Sequence, residues 1–193
     1  MMTEPSDDQL LDRHRKGDTG AFEVLVRRHG AALHGFLLAR SGSAAEAEDL
    51  FQESFVRVLD ALPSYRERGQ FRSWLFRIAR NLAADNRRRK LVRRETGLEG
   101  AGSRPGPVPA PDEAALANEE RSRLEAAVSR LSPKLRETYT LRTVSGLPFR
   151  EIAQVLGCPL GTALARMRYA LDRLREELGE TPEPVARNEE AIP

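Results

Sequence analysis

Cysteine is nearly absent from this sequence, lysine and tryptophan are scarce, and no long apolar run occurs. The single Cys158 has no partner for an internal disulfide, so no oxidising compartment is required. The three histidines, His14, His29 and His34, lack ligand spacing to one another or to Cys158, and no metal site is expected. There is no glycine-rich phosphate loop, no nucleophile elbow and no carboxylate pair placed for acid–base work, so neither an enzyme nor a cofactor is expected. The longest apolar stretch, residues 31–39, is broken by His34 and falls far short of the ~20 residues that cross a bilayer. The first eight residues are acidic, unlike a secretory leader. These absences point to a cytoplasmic, non-catalytic protein with no membrane insertion.

What the sequence does hold is charge and helix-forming composition. Of its 193 residues 31% are charged, with a net charge of +2, and 28 of the 31 basic residues are arginine. The arginine fork suits phosphates, base edges and stacking better than the lysine ammonium does. Residues 96–111 contain Gly97, Gly100, Gly102, Pro105, Gly106, Pro107, Pro109 and Pro111 and few large apolar groups, the composition of a flexible linker. The chain therefore divides into residues 7–94, a linker at 95–111, a second segment at 112–178 and a polar tail at 179–193. Apolar residues recur at three-four spacing on both sides of the linker, and no strand pattern appears. The expected fold class is all-α, with two small helical domains: four helices first, then a helix-turn-helix domain.

The first half opens with a short helix ending at Gly17, followed by one carrying Phe22, Leu25, Val26, His29, Leu33, Phe36 and Leu37. Ser43 and Glu46 form a capping-box pattern for a third helix, which Pro63 stops. On that helix Phe51, Phe55, Val58 and Leu62 make a core stripe, and Asp49, Gln52, Glu53 and Asp60 lie opposite. An acidic stripe alone is an ordinary solvated face. Val56 sits inside it, however, and an apolar residue ringed by acids and an amide suits a docking surface. A polar loop at 64–70 precedes a fourth helix at about 71–89. Phe71, Leu75, Ile78 and Leu82 share its buried face, and Trp74, Arg77, Asn81 and Arg88 share a second stripe. Between Phe71 and Arg94 nine basic residues stand against Asp85 alone, a net charge of +8. Solvated faces mix their signs, whereas this density makes a phosphate-binding field, and a Trp and an amide beside it add stacking and hydrogen bonding for unpaired bases.

In the second half Ser132-Pro133 reads as an N-cap with proline at the first helical position, and Gly146 as a stop. A short helix from about Phe149 to Leu156, a turn at Gly157 and a last helix from Thr162 to Leu178 give a helix-turn-helix. Ala163, Met167, Ala170, Leu174 and Leu178 face inward on the last helix. Arg166, Tyr169 and Arg173 flank its outer face on one side, with Arg168 and Arg175 on the other, a pattern that suits insertion into the major groove.

Two long motifs now resemble a known family. The run Ala47-Glu48-Asp49-Leu50-Phe51-Gln52-Glu53-Ser54-Phe55 and the run from Phe71-Arg72-Ser73-Trp74 to Asn81-Leu82 resemble region two of extracytoplasmic-function (ECF) sigma factors of bacterial RNA polymerase. The runs Leu131-Ser132-Pro133, Gly146-Leu147-Pro148-Phe149-Arg150-Glu151-Ile152-Ala153 and Gly157-Cys158-Pro159-Leu160-Gly161-Thr162 resemble region four. The resemblance implies a subunit that binds core RNA polymerase, at the β′ clamp helices and the β subunit, and directs it to promoter DNA. It implies polymerase docking by Asp49, Gln52, Glu53 and Val56. It implies recognition and melting of a minus-ten element by Tyr65, Phe71, Trp74, Arg77, Asn81, Arg87 and Arg88. It implies reading of a minus-thirty-five element by Thr162, Leu164, Ala165, Arg166, Arg168, Tyr169 and Arg173. An anti-sigma partner is implied as well. One departure stands out: where the family usually carries a basic residue and a serine, this chain has Leu164 and Ala165, which make no bidentate base contact. Two other readings compete, a stand-alone helix-turn-helix regulator and a helical adaptor. The first leaves the Asp49/Gln52/Glu53 stripe and the Trp74/Arg77/Asn81 stripe without a task, and the second leaves the +8 segment unexplained.

Overall fold

A computed structural model of the chain describes residues 4–41, 43–66, 69–95 and 113–179. Among these it is all helix: α1 (Asp7–Arg15), α2 (Thr19–Arg40), α3 (Ala44–Ala61), α4 (Phe71–Glu95), α5 (Glu113–Arg130), α6 (Pro133–Thr143), α7 (Phe149–Leu156) and α8 (Leu160–Leu178). The expected linker beyond Glu95 and the tail beyond Gly179 lie outside the described residues. No helix among the described residues is long and apolar enough to cross a membrane.

The starts of the first three helices follow from single polar side chains. Ser6 and Gln9 close a reciprocal capping box on α1, whose first turn carries Asp7 and Asp8 and whose last carries Arg13, His14 and Arg15, each sign opposing the helix dipole at that end. Asp18 caps α2 and Ser43 caps α3. Only half of the box expected at Ser43 forms. Glu46 offers its N–H to the serine, but its carboxylate accepts a hydrogen bond from Asn86 and pairs with Lys90 at 2.8 Å. Because this clamp lies near its far end, α4 runs past the expected stop at residue 89 to Glu95.

The helices gather into two compact units. The first joins α1–α4 to Thr140–Ala163, so it contains α7. Its core is built from Leu10, Leu11, Leu25, Leu33, Phe36, Phe71, Leu75, Phe76 and, from the later segment, Leu141, Leu147 and Ile152, all essentially out of solvent. Each such side chain contributes roughly 1.5–3 kcal/mol on burial. Arg72 at the start of α4 donates to the Ser145 carbonyl at 2.6 Å and lies 3.8 Å from Glu151 of α7. A division of the chain at the linker alone did not anticipate that packing of α7 on α4.

Polar contacts add to the anchoring of α1 by Leu10 and Leu11. Arg28 and His29, both on α2, donate to the two oxygens of Asp7 at 2.6 and 2.8 Å. Burial pushes the Asp7 carboxyl up, but these hydrogen bonds and the charges behind them outweigh it and hold the group below the ordinary carboxylate range. Asp8 accepts the Gly69 N–H with both oxygens, at 3.1 and 2.9 Å.

The second unit contains α5, the start of α6 and α8 from Leu164. Ala127, Leu131, Ala170 and Leu174 form its small core, with Val128, Leu135, Tyr139 and Leu178 against them. Arg136 donates to the Val128, Ser129 and Leu131 carbonyls, satisfying acceptors that the end of α5 leaves open. Arg130 and Glu177, 2.6 Å apart, join α5 to α8.

Candidate nucleic-acid interface

Helical spacing puts Trp74, Arg77, Asn81 and Arg88 on one face of α4. The indole of Trp74 is partly buried and stacks on Tyr65, with centroids 4.3 Å apart and planes 27° from parallel. Phe71 closes the cluster, edge-on to Tyr65 at 6.5 Å and tilted against Trp74 at 6.1 Å. Two of the residues expected to touch DNA are therefore core residues: Phe71 is 1% exposed and Tyr65 7%. For Tyr65 the cause lies in α1, where Arg15 donates to the Leu62 and Tyr65 carbonyls at 3.3 and 2.8 Å and draws the loop down; Phe71 belongs to the buried face of α4. In this conformation neither ring offers a face to a base, and together they form the platform under Trp74.

Further along α4, Asn81, Arg87 and Arg88 are exposed and Arg77 is partly buried. The sum of +8 over this segment hides that two of its basic side chains are engaged by acids. Asp85 lies on the same face and holds Arg88 at 3.3 Å, and Glu46 holds Lys90. The first is visible at helical spacing; the second needs the packing of α3 on α4.

On α3, Asp49, Gln52 and Val56 are exposed and Glu53 partly so. Gln52 donates to Glu48 at 3.0 Å, and Arg57 donates to Glu53 at 2.8 Å. That hydrogen bond, with the charge behind it, raises Arg57 above the ordinary guanidinium value. The apolar part of the stripe is larger than expected: Val56 is 51% exposed and Leu59, one turn on, is 40% exposed. Leu59 follows Gln52 by seven positions, so a helical wheel would have found it. Beyond Leu59 the surface passes into an open groove lined by His14, Arg15, Leu62, Pro63 and Arg66.

The turn into α8 forms as expected, with Gly157 in the left-handed region at φ 62°. The helix itself starts at Leu160, earlier than Thr162, because the Pro159 carbonyl accepts from the Thr162 and Ala163 N–H groups at 3.0 and 3.2 Å. Leu164, Arg168, Tyr169 and Arg173 are exposed, while Thr162, Ala165 and Arg166 are partly buried. The Arg168 guanidinium lies over the Tyr169 ring, 5.4 Å from its centroid. Arg173 pairs with Glu176 at 2.9 Å and Arg175 with Asp172 at 3.4 Å. Among the described residues no three His, Cys, Asp or Glu side chains gather in a group that could hold a metal ion.

Residues 25–92 match Sigma-70 region 2, and residues 121–174 match Sigma-70 region 4. The RNA polymerase sigma-H factor of Pseudomonas aeruginosa is 31% identical, over 97% of this chain and 99% of the relative. The ECF RNA polymerase sigma factor SigE of Mycolicibacterium smegmatis is 32% identical, over 96% of this chain and 72% of the relative. The ECF RNA polymerase sigma-E factor of Salmonella typhimurium is 31% identical, over 97% of this chain and all of the relative. The chain belongs to the ECF RNA polymerase sigma factors. Membership removes the stand-alone regulator and adaptor readings.

Solved structures resemble this sigma factor along most of its length. CnrH, in complex with the cytosolic domain of CnrY, matches at TM-score 0.69 and 26% identity, covering 91% of this chain and 99% of that one. The sigma factor RpoE of Bartonella quintana, in complex with the anti-sigma factor NepR, matches at 0.66 and 25%, covering 83% and 98%. Within this sigma factor, α3 and most of α4 lie in the region 2 match, and α7 and most of α8 lie in the region 4 match.

Proposed function

We propose that residues 7–94 dock on core RNA polymerase and open the minus-ten element, and that residues 112–178 read the minus-thirty-five element, with 95–111 as the connection. Docking falls to Asp49, Gln52, Glu53 and Val56 on α3, with the β′ clamp helices and the β subunit as partners. Trp74, Arg77 and Asn81 take the unpaired bases, Arg87 and Arg88 take phosphates, and Tyr65 and Phe71 support Trp74 from beneath. Thr162, Leu164, Ala165, Arg166, Arg168, Tyr169 and Arg173 face the upstream duplex. The protein catalyses no covalent reaction; it supplies binding energy that favours open DNA, and it acts in the cytoplasm on nucleoid DNA. By analogy with the NepR-bound RpoE, an anti-sigma protein holds it until released.

The observation that carries this reading is the single face of α4, where an indole stacked on a buried tyrosine lies beside arginines and an amide. A stacked base is worth roughly 1–3 kcal/mol, enough to favour a flipped conformer once phosphates are held. The test is permanganate probing of unpaired thymines on a cognate promoter, with polymerase reconstituted around the wild type or Trp74→Ala. Loss of minus-ten reactivity with upstream protection retained supports the assignment. Wild-type reactivity in the variant would remove Trp74 from the melting step.

A further inference from the structure

We infer that Leu164 and Ala165 read the 5-methyl groups of thymines in the upstream element, so that this sigma factor selects A·T pairs there by apolar contact. The inference rests on the proposed role of α8 and narrows it to one class of base.

Leu164 and Ala165 are adjacent, and Arg168 and Tyr169 follow them by four positions each, so the four make one contiguous patch on α8. Leu164 is 46% exposed and Tyr169 54%. A single exposed leucine is unremarkable on most surfaces. This one lies on a helix whose sequence from Leu160 to Leu171 holds no acidic residue, with Arg166 and Arg168 its only charges. A polyanion is the complementary occupant. An α-helix with its side chains is about 10–12 Å across and the major groove about 12 Å wide, so the patch fits against base edges.

At those edges guanine, adenine and cytosine present only hydrogen-bonding groups, which an alkyl side chain cannot answer. Thymine alone adds a methyl group. Leu164 and Ala165 therefore have one favourable partner in the groove, and opposite any other base edge they desolvate polar atoms without replacing the lost bonds. Arg168 lies against the Tyr169 ring, which orders the guanidinium for a neighbouring phosphate. Phosphate contacts fix the register, and the methyl contacts supply the preference.

The test uses polymerase holoenzyme assembled around the full chain, on a promoter selected from a library randomised over the upstream element. Thymines of that element are replaced singly by deoxyuridine, which removes the methyl and nothing else. Affinity should fall about fourfold per contacted methyl, the effect of burying one methylene-sized group. In a cytosine-containing variant of the element, 5-methylcytosine should recover a similar factor. In Leu164→Ala, whose side chain is not part of a core, the difference between thymine and deoxyuridine should shrink toward one. Equal affinity for thymine and deoxyuridine at every position would overturn the inference while leaving upstream binding in place. Holoenzyme that gives no upstream footprint on any selected promoter would sink the role of α8 itself, and the inference with it.

Discussion

Asp85 is the one acidic residue among the nine basic ones between Phe71 and Arg94, and it lies on the face that carries Trp74, Arg77 and Asn81. It holds Arg88 in an exposed pair one turn apart, the kind worth only ~0.2–1 kcal/mol. Its larger expected effect is on DNA, because it sets a negative charge along the proposed strand path and occupies an arginine proposed to hold a phosphate. Asp85→Asn should keep the fold, bind single-stranded DNA several-fold more tightly and steepen the salt dependence by about 0.7 per phosphate gained. Titrations of a labelled oligonucleotide over a salt series would show it, and an unchanged slope would place Arg88 off the DNA. The α3 stripe makes the opposite demand, since its acids are proposed to meet a basic surface on the polymerase. Asp49→Arg combined with Glu53→Arg reverses two charges at exposed or partly exposed positions, so helical content should persist while core polymerase no longer co-purifies. Wild-type recovery of core with the double variant would move the docking site elsewhere.

At the scale of helices, α1 is the element whose attachment depends on ionisation. Its Asp7 carboxyl is held below the ordinary range by His29 and Arg28, so the ionised form belongs to the folded state. The stability it supplies is fully present above the ordinary carboxylate value and is lost as pH falls through the lowered folded value, that is, below about pH 4. Asp7→Asn should cost about 1–3 kcal/mol at neutral pH, the cost of unpairing a partly buried group, and the deficit should shrink as pH falls below about 4. Urea unfolding followed by circular dichroism across that range would reveal it; a deficit independent of pH would mean that geometry, and not charge, ties α1 down. How far the sequence showed these elements depended on where their causes lie. The bounds of α7 were legible because Pro148 and Gly157 are local signals, and so was the start of α3, where Ser43 caps the helix. The end of α4 was not, because Arg and Lys continue a helix well and the Glu46 clamp on Asn86 and Lys90 comes from another element. The burial of Tyr65 was hidden for the same reason: Arg15, which pulls the loop in, stands 50 residues before it. That of Phe71 was legible from its spacing with Leu75, Ile78 and Leu82 on α4.

Across the whole molecule, the Arg72 contacts set a condition on function. Helix α4 belongs to the region 2 match and α7 to the region 4 match, yet Arg72 holds Ser145 at 2.6 Å and α7 packs on α4 within one compact unit. The two proposed promoter elements are about 25 base pairs apart, roughly 85 Å along B-form DNA. On the proposed assignment, the hydrogen bond from Arg72 of α4 to Ser145, in the loop before α7, does not survive simultaneous engagement of both elements, so α7 should leave α4 when polymerase binds a promoter. The loss includes apolar side chains that this segment buries in the shared core as well as the Arg72 hydrogen bond, so contacts with polymerase and promoter have to offset several kcal/mol. Dyes placed at the exposed positions 89 and 154, through Arg89→Cys and Gln154→Cys with Cys158→Ser, would report the separation by energy transfer. Transfer should be high in the free chain, lower in the same pair carrying Arg72→Ala, and nearly absent in holoenzyme on a promoter bearing both elements. On a promoter that lacks the upstream element the distribution should be broad, because α7 is then released without being held. If transfer stays high on the complete promoter, α7 remains on α4 during initiation, and the two elements cannot be read at once by the regions assigned to them.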